Sequence, residues 1–223
     1  GLEQETTRHT EELTGNDTAA RDIAHFAEGL AQVYSHMAAA LKPGAPLVFT
    51  YHHNQQEPYL AAGMAILDAG LTCSASLPCP AEMGGSIHIR GTGSSIVDTV
   101  FVCRDRGATP RTWLFEDALQ LAKIMTRELS DLRAAGMNPS AGDIRSMAYG
   151  HITRMAIWNL RPLWAAQQPT EKKLATIRAA MDAIAMVDDV KACLEGAAVQ
   201  QTVIEGGLFA RQEVREMPNA VTF

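Results

Sequence analysis

The sequence predicts an α/β fold in its first half and helices alone in its second half. Three observations support this prediction: a helical pattern that leads directly into a short apolar strand, two further β-rich segments, and a change to purely helical periodicity after Pro110. The chain has 223 residues, of which 47% are hydrophobic and 20% are charged. This composition is typical of globular proteins and provides enough apolar material for one good core or two small ones.

The first helix and the first strand follow each other closely. Apolar residues recur every three or four positions from Ile23 to Leu41, which predicts an amphipathic helix. Lys42, Pro43 and Gly44 are expected to end it, because proline cannot continue the helix and glycine accepts a positive φ. Residues 46–51 then form a β-rich run in which apolar residues are continuous, a pattern that predicts a strand covered on both faces.

Two further strands are predicted, and a helix precedes the first of them. The helix is expected from Pro58 to Ala69, with proline at its start and glycine just past its end. Strands are expected from Leu71 to Leu77 and from Ser95 to Cys103, separated by a connection rich in proline and glycine.

The predicted sheet is incomplete, because three strands with two helices leave a sheet edge and an apolar face uncovered. The sequence leaves three explanations open. The helices after residue 110 cover this face, or another polypeptide covers it, or the sheet begins upstream of Gly1.

The second half of the chain is predicted to be helical. Helical runs are expected from Trp113 to Ala135, from Asp143 to Trp164 and from Thr170 to Val187, with a shorter one from Val190 to Val199. Composition and periodicity both change near residues 105–112, so we expect one domain over residues 1–108 and a helical domain over residues 109–223. The aromatic residues of the helices predict a buried seam, with stacking on bases as the alternative: Trp113, Phe115, Tyr149, Trp158 and Trp164.

The sequence argues against a membrane span and against a disulfide framework. No apolar run approaches the roughly 20 residues that cross a bilayer, and the first residues show no secretory signal, so we expect a cytoplasmic protein. Four cysteines lie far apart without a CxxC pair, which predicts reduced and mostly buried thiols, and the histidines show no ligand spacing for a metal.

The charge distribution has two interpretations. The net charge is −6, yet residues 110–178 carry ten basic side chains and six acidic ones. This segment is either a set of solvated helix faces with mixed charges or a basic helical face that contacts a polyanion.

The candidate binding residues follow or precede predicted strands. His52, His53 and Asn54 follow the first strand, at the kind of sheet edge where α/β proteins bind ligands. Ser94 and Ser95 lie in the glycine-rich connection before the last strand. No residue is predicted to be a catalytic nucleophile or a metal ligand.

Several segments together resemble a known family. The chain contains LKPGAPLVFTYHH over residues 41–53, LDAGLTCSAS over residues 67–76 and SSIVDTVFVCR over residues 94–104, and it opens with LEQETT. Over roughly residues 1–106 it resembles the later half of the catalytic domain of adenine-specific DNA methylases, which are amino-methyltransferases of the class I S-adenosylmethionine fold. The resemblance implies a partial Rossmann-like sheet in which residues 94–104 form a strand antiparallel to the others.

The resemblance also implies a function. It predicts a portion of an S-adenosylmethionine-dependent DNA adenine (N6) methyltransferase that flips its target base, with His52, His53, Asn54, Ser94 and Ser95 lining the base or cofactor crevice. S-adenosylmethionine is the implied cofactor and DNA the implied partner.

The sequence departs from the family in two motifs. It contains no glycine-rich cofactor loop that precedes a helix and no Asp/Asn-Pro-Pro-aromatic tetrapeptide. We therefore expect this chain alone to be inactive. It would then be the later part of a longer enzyme, a split subunit or a degenerate relative, and the alternative is a non-catalytic interaction subunit whose sheet a second polypeptide completes.

Overall fold

The computed structural model describes residues 22–53, 55–81, 96–105, 118–186 and 190–191. Over these ranges the protein is a mixed α/β structure with five α-helices and a three-stranded sheet. The elements are, in chain order, α1 (Ile23–Ala40), β1 (Leu47–Tyr51), α2 (Glu57–Asp68), β2 (Leu71–Pro80), β3 (Val97–Asp105), α3 (Ala118–Ala134), α4 (Ala141–Leu160) and α5 (Thr170–Ala185). A 3₁₀ turn, Arg161–Leu163, follows α4 directly.

The ends of α1 follow from local chemistry. The Asp22 side chain accepts a hydrogen bond from the backbone N–H of His25 at 3.0 Å, which satisfies one of the unpaired donors of the first turn. The helix ends at Ala40, and Gly44 takes a φ of 77° in the turn before β1. The predicted helix and its end are confirmed.

The sheet has the order β1-β3-β2, with both pairs antiparallel. Thr50 lies opposite Val100 in the first pair, so β1 and β3 are neighbouring strands of opposite direction. Because β3 is antiparallel to both neighbours, β1 and β2 run in the same direction and α2 connects them. A register shift between Cys73 and Ala75 inserts one extra residue, Ser74, into β2.

One face of the sheet carries the core. Leu47, Phe49 and Phe101 point to the same face, because directly opposite residues of antiparallel strands share a side. Tyr34 of α1 lies against Phe49 with ring centroids 4.8 Å apart, and Tyr59 of α2 lies 6.4 Å from the Phe101 ring. Helices α1 and α2 therefore cover this face with aromatic contacts.

The opposite face is less covered, which corrects the prediction for β1. The side chain of Val48 is 53% exposed, Thr50 is exposed, and Leu77 of β2 is 46% exposed on the same face. The run of apolar residues in β1 therefore does not reflect burial on both sides. Only its alternate residues Leu47, Phe49 and Tyr51 face the core.

Helix α4 also lies against the sheet. It packs on β2, β3 and α2, and the approach is closest at Gly150, where an added Cβ would lie 2.6 Å from Thr99 Cγ2 and 2.7 Å from Ser76 Oγ. Residues from α1, the sheet and all later helices contribute to one buried cluster. The sequence left three explanations open for the uncovered sheet. The first of them, that later helices cover it, therefore holds for the face that carries Phe101.

Most predicted elements agree with the structure to within a few residues. The strand β2 extends three residues past the predicted Leu77, and the helix predicted from Trp113 is described from Ala118. Only residues 190–191 of the last predicted helix are described. No helix in the described ranges has the length and apolar character needed to cross a membrane.

Candidate functional site

The site begins where β1 ends. Tyr51 is the last residue of the strand, and its hydroxyl donates a hydrogen bond to the carbonyl of Pro58 in the first turn of α2 at 2.8 Å. This bond fixes the path of the short connection between strand and helix. His52 and His53 lie in that connection, as the sequence predicts, beside the start of β3.

His52 is oriented by two groups of β3. Its Nδ1 lies 3.0 Å from the carbonyl oxygen of Val97 and 3.3 Å from Oδ1 of Asp98. Both oxygens accept hydrogen bonds, so Nδ1 carries the proton and donates. In the neutral ring Nε2 then holds the lone pair and can accept a hydrogen bond or a proton.

Asp98 is a residue that the sequence analysis missed. The β1–β3 register pairs Tyr51 with Thr99, so the next pair of positions along the two strands brings His52 beside Asp98. The side chains are 35% and 24% exposed, so both remain accessible to a ligand. A carboxylate beside a histidine holds the ring in one tautomer, as in general-base pairs of enzymes.

His53 has the opposite arrangement of its ring nitrogens. The backbone N–H of Gln55 donates a hydrogen bond to His53 Nδ1 at 3.1 Å, so Nδ1 holds the lone pair and the neutral ring carries its proton on Nε2. Partial burial, and secondarily the neighbouring His52, lower the pKa of His53 from its ordinary value. The neutral form is therefore favoured at neutral pH.

Together the two rings offer one acceptor and one donor from consecutive residues. An aminated heterocycle carries the matching groups, an N–H donor and a lone-pair nitrogen. Among the described residues, no group of three His, Cys, Asp or Glu side chains is close enough together to hold a metal ion.

The other predicted site residues cannot be located. Asn54, Ser94 and Ser95 lie outside the described residues, and so does the rest of the glycine-rich connection from residue 82 onward. The structure therefore brings His52 and His53 to the start of β3 and gives no position for the other three.

The described residues do not fit S-adenosylmethionine binding by themselves. The fold that the resemblance implies holds this cofactor with a glycine-rich turn between a strand and a helix. The only described connection of that kind with both flanking elements is His52–Gln56, between β1 and α2, and it contains no glycine. We therefore assign no residue of this chain to the cofactor.

Arg154 of α4 and Arg161 of the following turn are used inside the protein. Arg154 is only 6% exposed, and Arg161 donates to the carbonyl of Leu67 at 2.6 Å. The neighbouring indoles are used in the same way, because Trp158 Nε1 donates to the carbonyl of Cys73 at 2.7 Å and Trp164 Nε1 donates to Asp68 Oδ1 at 2.9 Å. Arg161 and Trp164 therefore bind residues of α2, and Trp158 binds the strand β2.

A second concave region lies between α1, α2 and α5. It has a volume of about 360 Å³, and its lining includes the charged residues Glu28 of α1, Asp68 of α2 and Lys173 of α5. Thr170 donates to Glu28 at 2.6 Å and Lys173 donates to Asp68 at 2.5 Å. Because its charged groups already bind each other or neighbouring side chains, this groove is a weaker candidate than the His52 site.

Comparison of the chain with protein-family models, with curated proteins and with solved structures finds no match.

Proposed function

We propose that this chain forms the later part of the catalytic sheet of an S-adenosylmethionine-dependent DNA adenine (N6) methyltransferase in the cytoplasm. The observation that carries the proposal is the strand order β1-β3-β2, in which β3, the last strand among the described residues, lies in the middle and is antiparallel to both neighbours.

The strand order supports the proposal because it agrees with the strand directions that the resemblance implies. The resemblance assigns residues 94–104 to a strand that opposes the others, and β3 covers Val97–Asp105. A simple meander of three strands would place the middle strand of the sequence, β2, in the centre of the sheet. The observed order instead requires the chain to leave β1 through α2, form β2 at the far edge, and return between the two.

The position of the histidines supports the substrate class. His52 and His53 lie at the carboxyl end of β1, where class I α/β sheets bind their ligands. An adenine that is extruded from the helix presents an amine donor and ring nitrogens as acceptors. His52 would accept from the amine and His53 would donate to a ring nitrogen, while Asp98 keeps His52 in the required tautomer. S-adenosylmethionine would supply the methyl group in the complete enzyme.

The test is reconstitution of methyl transfer. The chain is mixed with the polypeptide encoded by the sequence immediately upstream of its own, and transfer of a labelled methyl group to DNA is measured against DNA whose adenines already carry N6-methyl groups. We expect transfer only from the mixture. His52→Ala should lower kcat or raise KM at least about tenfold, because it removes a polar contact to the reacting base, whereas His36→Ala, at an exposed position of α1, should leave both unchanged.

Two results would overturn the proposal. One is full activity of His52→Ala in the reconstituted mixture. The other is the absence of labelled methyl transfer from the mixture to DNA with unmethylated adenines.

The alternative function is a non-catalytic interaction subunit. The observation that favours it is the open face of the sheet, where Val48 and Leu77 are about half exposed within the part of the chain that the structure describes. A stable complex with the upstream-encoded polypeptide that shows no transfer to any adenine-containing DNA, but binds DNA or protein, would favour this alternative.

A further inference from the structure

Two cysteines that are far apart in the sequence lie directly opposite each other in the sheet. Cys73 of β2 pairs with Cys103 of β3, and both side chains are fully buried. Opposite residues of antiparallel strands have Cα atoms about 4.5–5.5 Å apart. That separation falls within the range of about 4.4–6.8 Å that a disulfide bond requires.

The two thiols also face each other. Cys73 Sγ donates a hydrogen bond to the carbonyl of Ala75 at 3.1 Å, across the register shift at Ser74. The Cys103 thiol is hydrogen-bonded to Cys73, and this bond together with burial raises the pKa of Cys103 well above its ordinary value. Both cysteines are free thiols in the structure. Because the thiolate is the reactive form, the folded pair reacts slowly and the reaction needs an opening of the sheet or occurs during folding.

We propose that Cys73 and Cys103 form a reversible intrachain disulfide that locks β2 to β3. The reaction is exchange with a low-molecular-weight disulfide, RSSR. One cysteine thiolate attacks RSSR to give a mixed disulfide and one RS⁻, and the second thiolate then displaces the other RS⁻. One protein S–S bond forms from two thiols, RSSR is reduced to two RSH, and the two thiol protons pass to the leaving thiolates.

The location gives the bond a structural consequence. The carbonyl of Cys73 accepts the indole N–H of Trp158, so a cross-link at this position connects the central strand, the edge strand β2 and helix α4 at one point. A disulfide also lowers the conformational entropy of the unfolded chain, because it closes the segment between its two cysteines into a loop. The oxidised protein should therefore unfold at a higher urea concentration than the reduced protein. This inference is independent of the proposed methyltransferase function.

The experiment equilibrates the full chain with glutathione redox buffer. The reduced protein is unfolded in urea, refolded in buffers of increasing oxidised glutathione, quenched with acid and alkylated. Trypsin then releases Cys103 in the peptide of residues 91–104, and Cys73 together with Cys79 in the peptide of residues 22–90. Mass spectrometry without reduction detects the two peptides joined.

Matched variants assign the bond to one cysteine of the larger peptide. We expect the joined peptides in the wild type and in Cys79→Ser, and a loss of about tenfold or more in Cys73→Ser, since Cys79 lies opposite Asp98 and does not face Cys103. In the wild type the urea midpoint should rise on oxidation and return when dithiothreitol is added.

Three outcomes would overturn the inference. One is that Cys73 and Cys103 remain fully alkylatable in the most oxidising buffer. Another is that the joined peptides persist in Cys73→Ser and disappear in Cys79→Ser. The third is that Cys193 replaces either cysteine as the main partner. The wild-type measurement decides the matter even where a variant fails to refold.

Discussion

The carboxylate of Asp143, at the start of α4, accepts the backbone N–H of Val97, the first residue of β3, at 3.0 Å. The same carboxylate accepts the backbone N–H of Ile96 at 2.8 Å and both the backbone N–H and the hydroxyl of Ser140. Asp143 is fully buried. One side chain therefore caps a helix and also fixes the beginning of the central strand, close to the carbonyl that orients His52.

Replacement of Asp143 by alanine should destabilise the protein by about 3 kcal/mol, because several buried N–H donors lose a charged acceptor. Ser140→Ala is the matched control. It removes the side-chain cap of α4, at a cost of about 1 kcal/mol, and leaves the bonds to Ile96 and Val97 in place. Urea unfolding measures both. If the two variants lost the same free energy of unfolding, Asp143 would have no role beyond capping α4.

The contact between α4 and the sheet makes a prediction about two glycines. Gly150→Ala should cost about 1–3 kcal/mol, because its Cβ would lie within 2.7 Å of atoms in Thr99 and Ser76. Gly63→Ala in α2 is the control, since its Cβ would meet nothing closer than 3.5 Å. Alanine should stabilise that helix by about 0.5–1 kcal/mol. Thermal or urea unfolding should therefore shift in opposite directions, and a stabilised Gly150→Ala variant would show that α4 lies further from the sheet.

Local patterns in the sequence were sufficient to predict the helices and strands of the described ranges. This information lies in the periodicity from Ile23 to Leu41 and in the prolines and glycines at the ends of elements. These features determine the backbone conformation of residues close to them in the sequence. The cover of the sheet could not be predicted. A continuous apolar run such as residues 46–51 gives the same pattern whether one face or two are buried. Only the tertiary structure shows that Val48 is half exposed and that α4 packs on the other face of the sheet, which carries Phe101.

The candidate site was predictable in the same limited way. His52 and His53 could be identified because they follow a strand, and strand ends are common ligand sites. Asp98 and the Cys73–Cys103 pair depend on the register between strands that are distant in the sequence, which the sequence pattern does not specify. For a related reason, charge composition does not show that Arg154 is buried or that Arg161 binds a carbonyl.

The buried ion pair between α2 and α5 should be far more important for stability than the exposed pair at the other end of α2. Lys173 Nζ lies 2.5 Å from Asp68 Oδ2 with both side chains at most 12% exposed, and Trp164 donates to the other carboxylate oxygen. Asp68→Ala leaves a buried lysine without this partner and should cost about 3–5 kcal/mol. The double variant Asp68→Ala with Lys173→Met should recover a large part of this loss.

The control for this prediction is Arg178 with Glu57, whose side chains are 43% and 62% exposed. Glu57→Ala should cost less than about 1 kcal/mol, because solvent screens an exposed pair. Urea denaturation of the four proteins, wild type included, gives the comparison. A similar cost for Asp68→Ala and Glu57→Ala would mean that the pair at Asp68 is solvated.

The last prediction concerns the pH dependence at the candidate site. Partial burial first, and the neighbouring His52 second, lower the pKa of His53 below its ordinary value of 6.5. The unfolded chain therefore binds a proton at this position more readily than the folded chain. As the pH falls below 6.5, the unfolded state gains the proton first, so the free energy of unfolding decreases until the folded-state pKa is passed. Protonation also removes the acceptor that Nδ1 offers to the N–H of Gln55.

Proton NMR titration of ring-labelled histidines tests this directly. We expect the His53 midpoint below 6.5, and we expect it to move upward in His52→Ala because the repulsion from His52 is lost, while burial keeps it below the ordinary value. His25→Ala, at an exposed position of α1, should leave the midpoint of His53 unchanged. In urea unfolding, His53→Ala should reduce the loss of stability between pH 7.5 and 5.5. A His53 midpoint above 6.5 would mean that the ring binds an anionic partner instead of the backbone N–H of Gln55, and the donor–acceptor pair inferred for the site would be reversed.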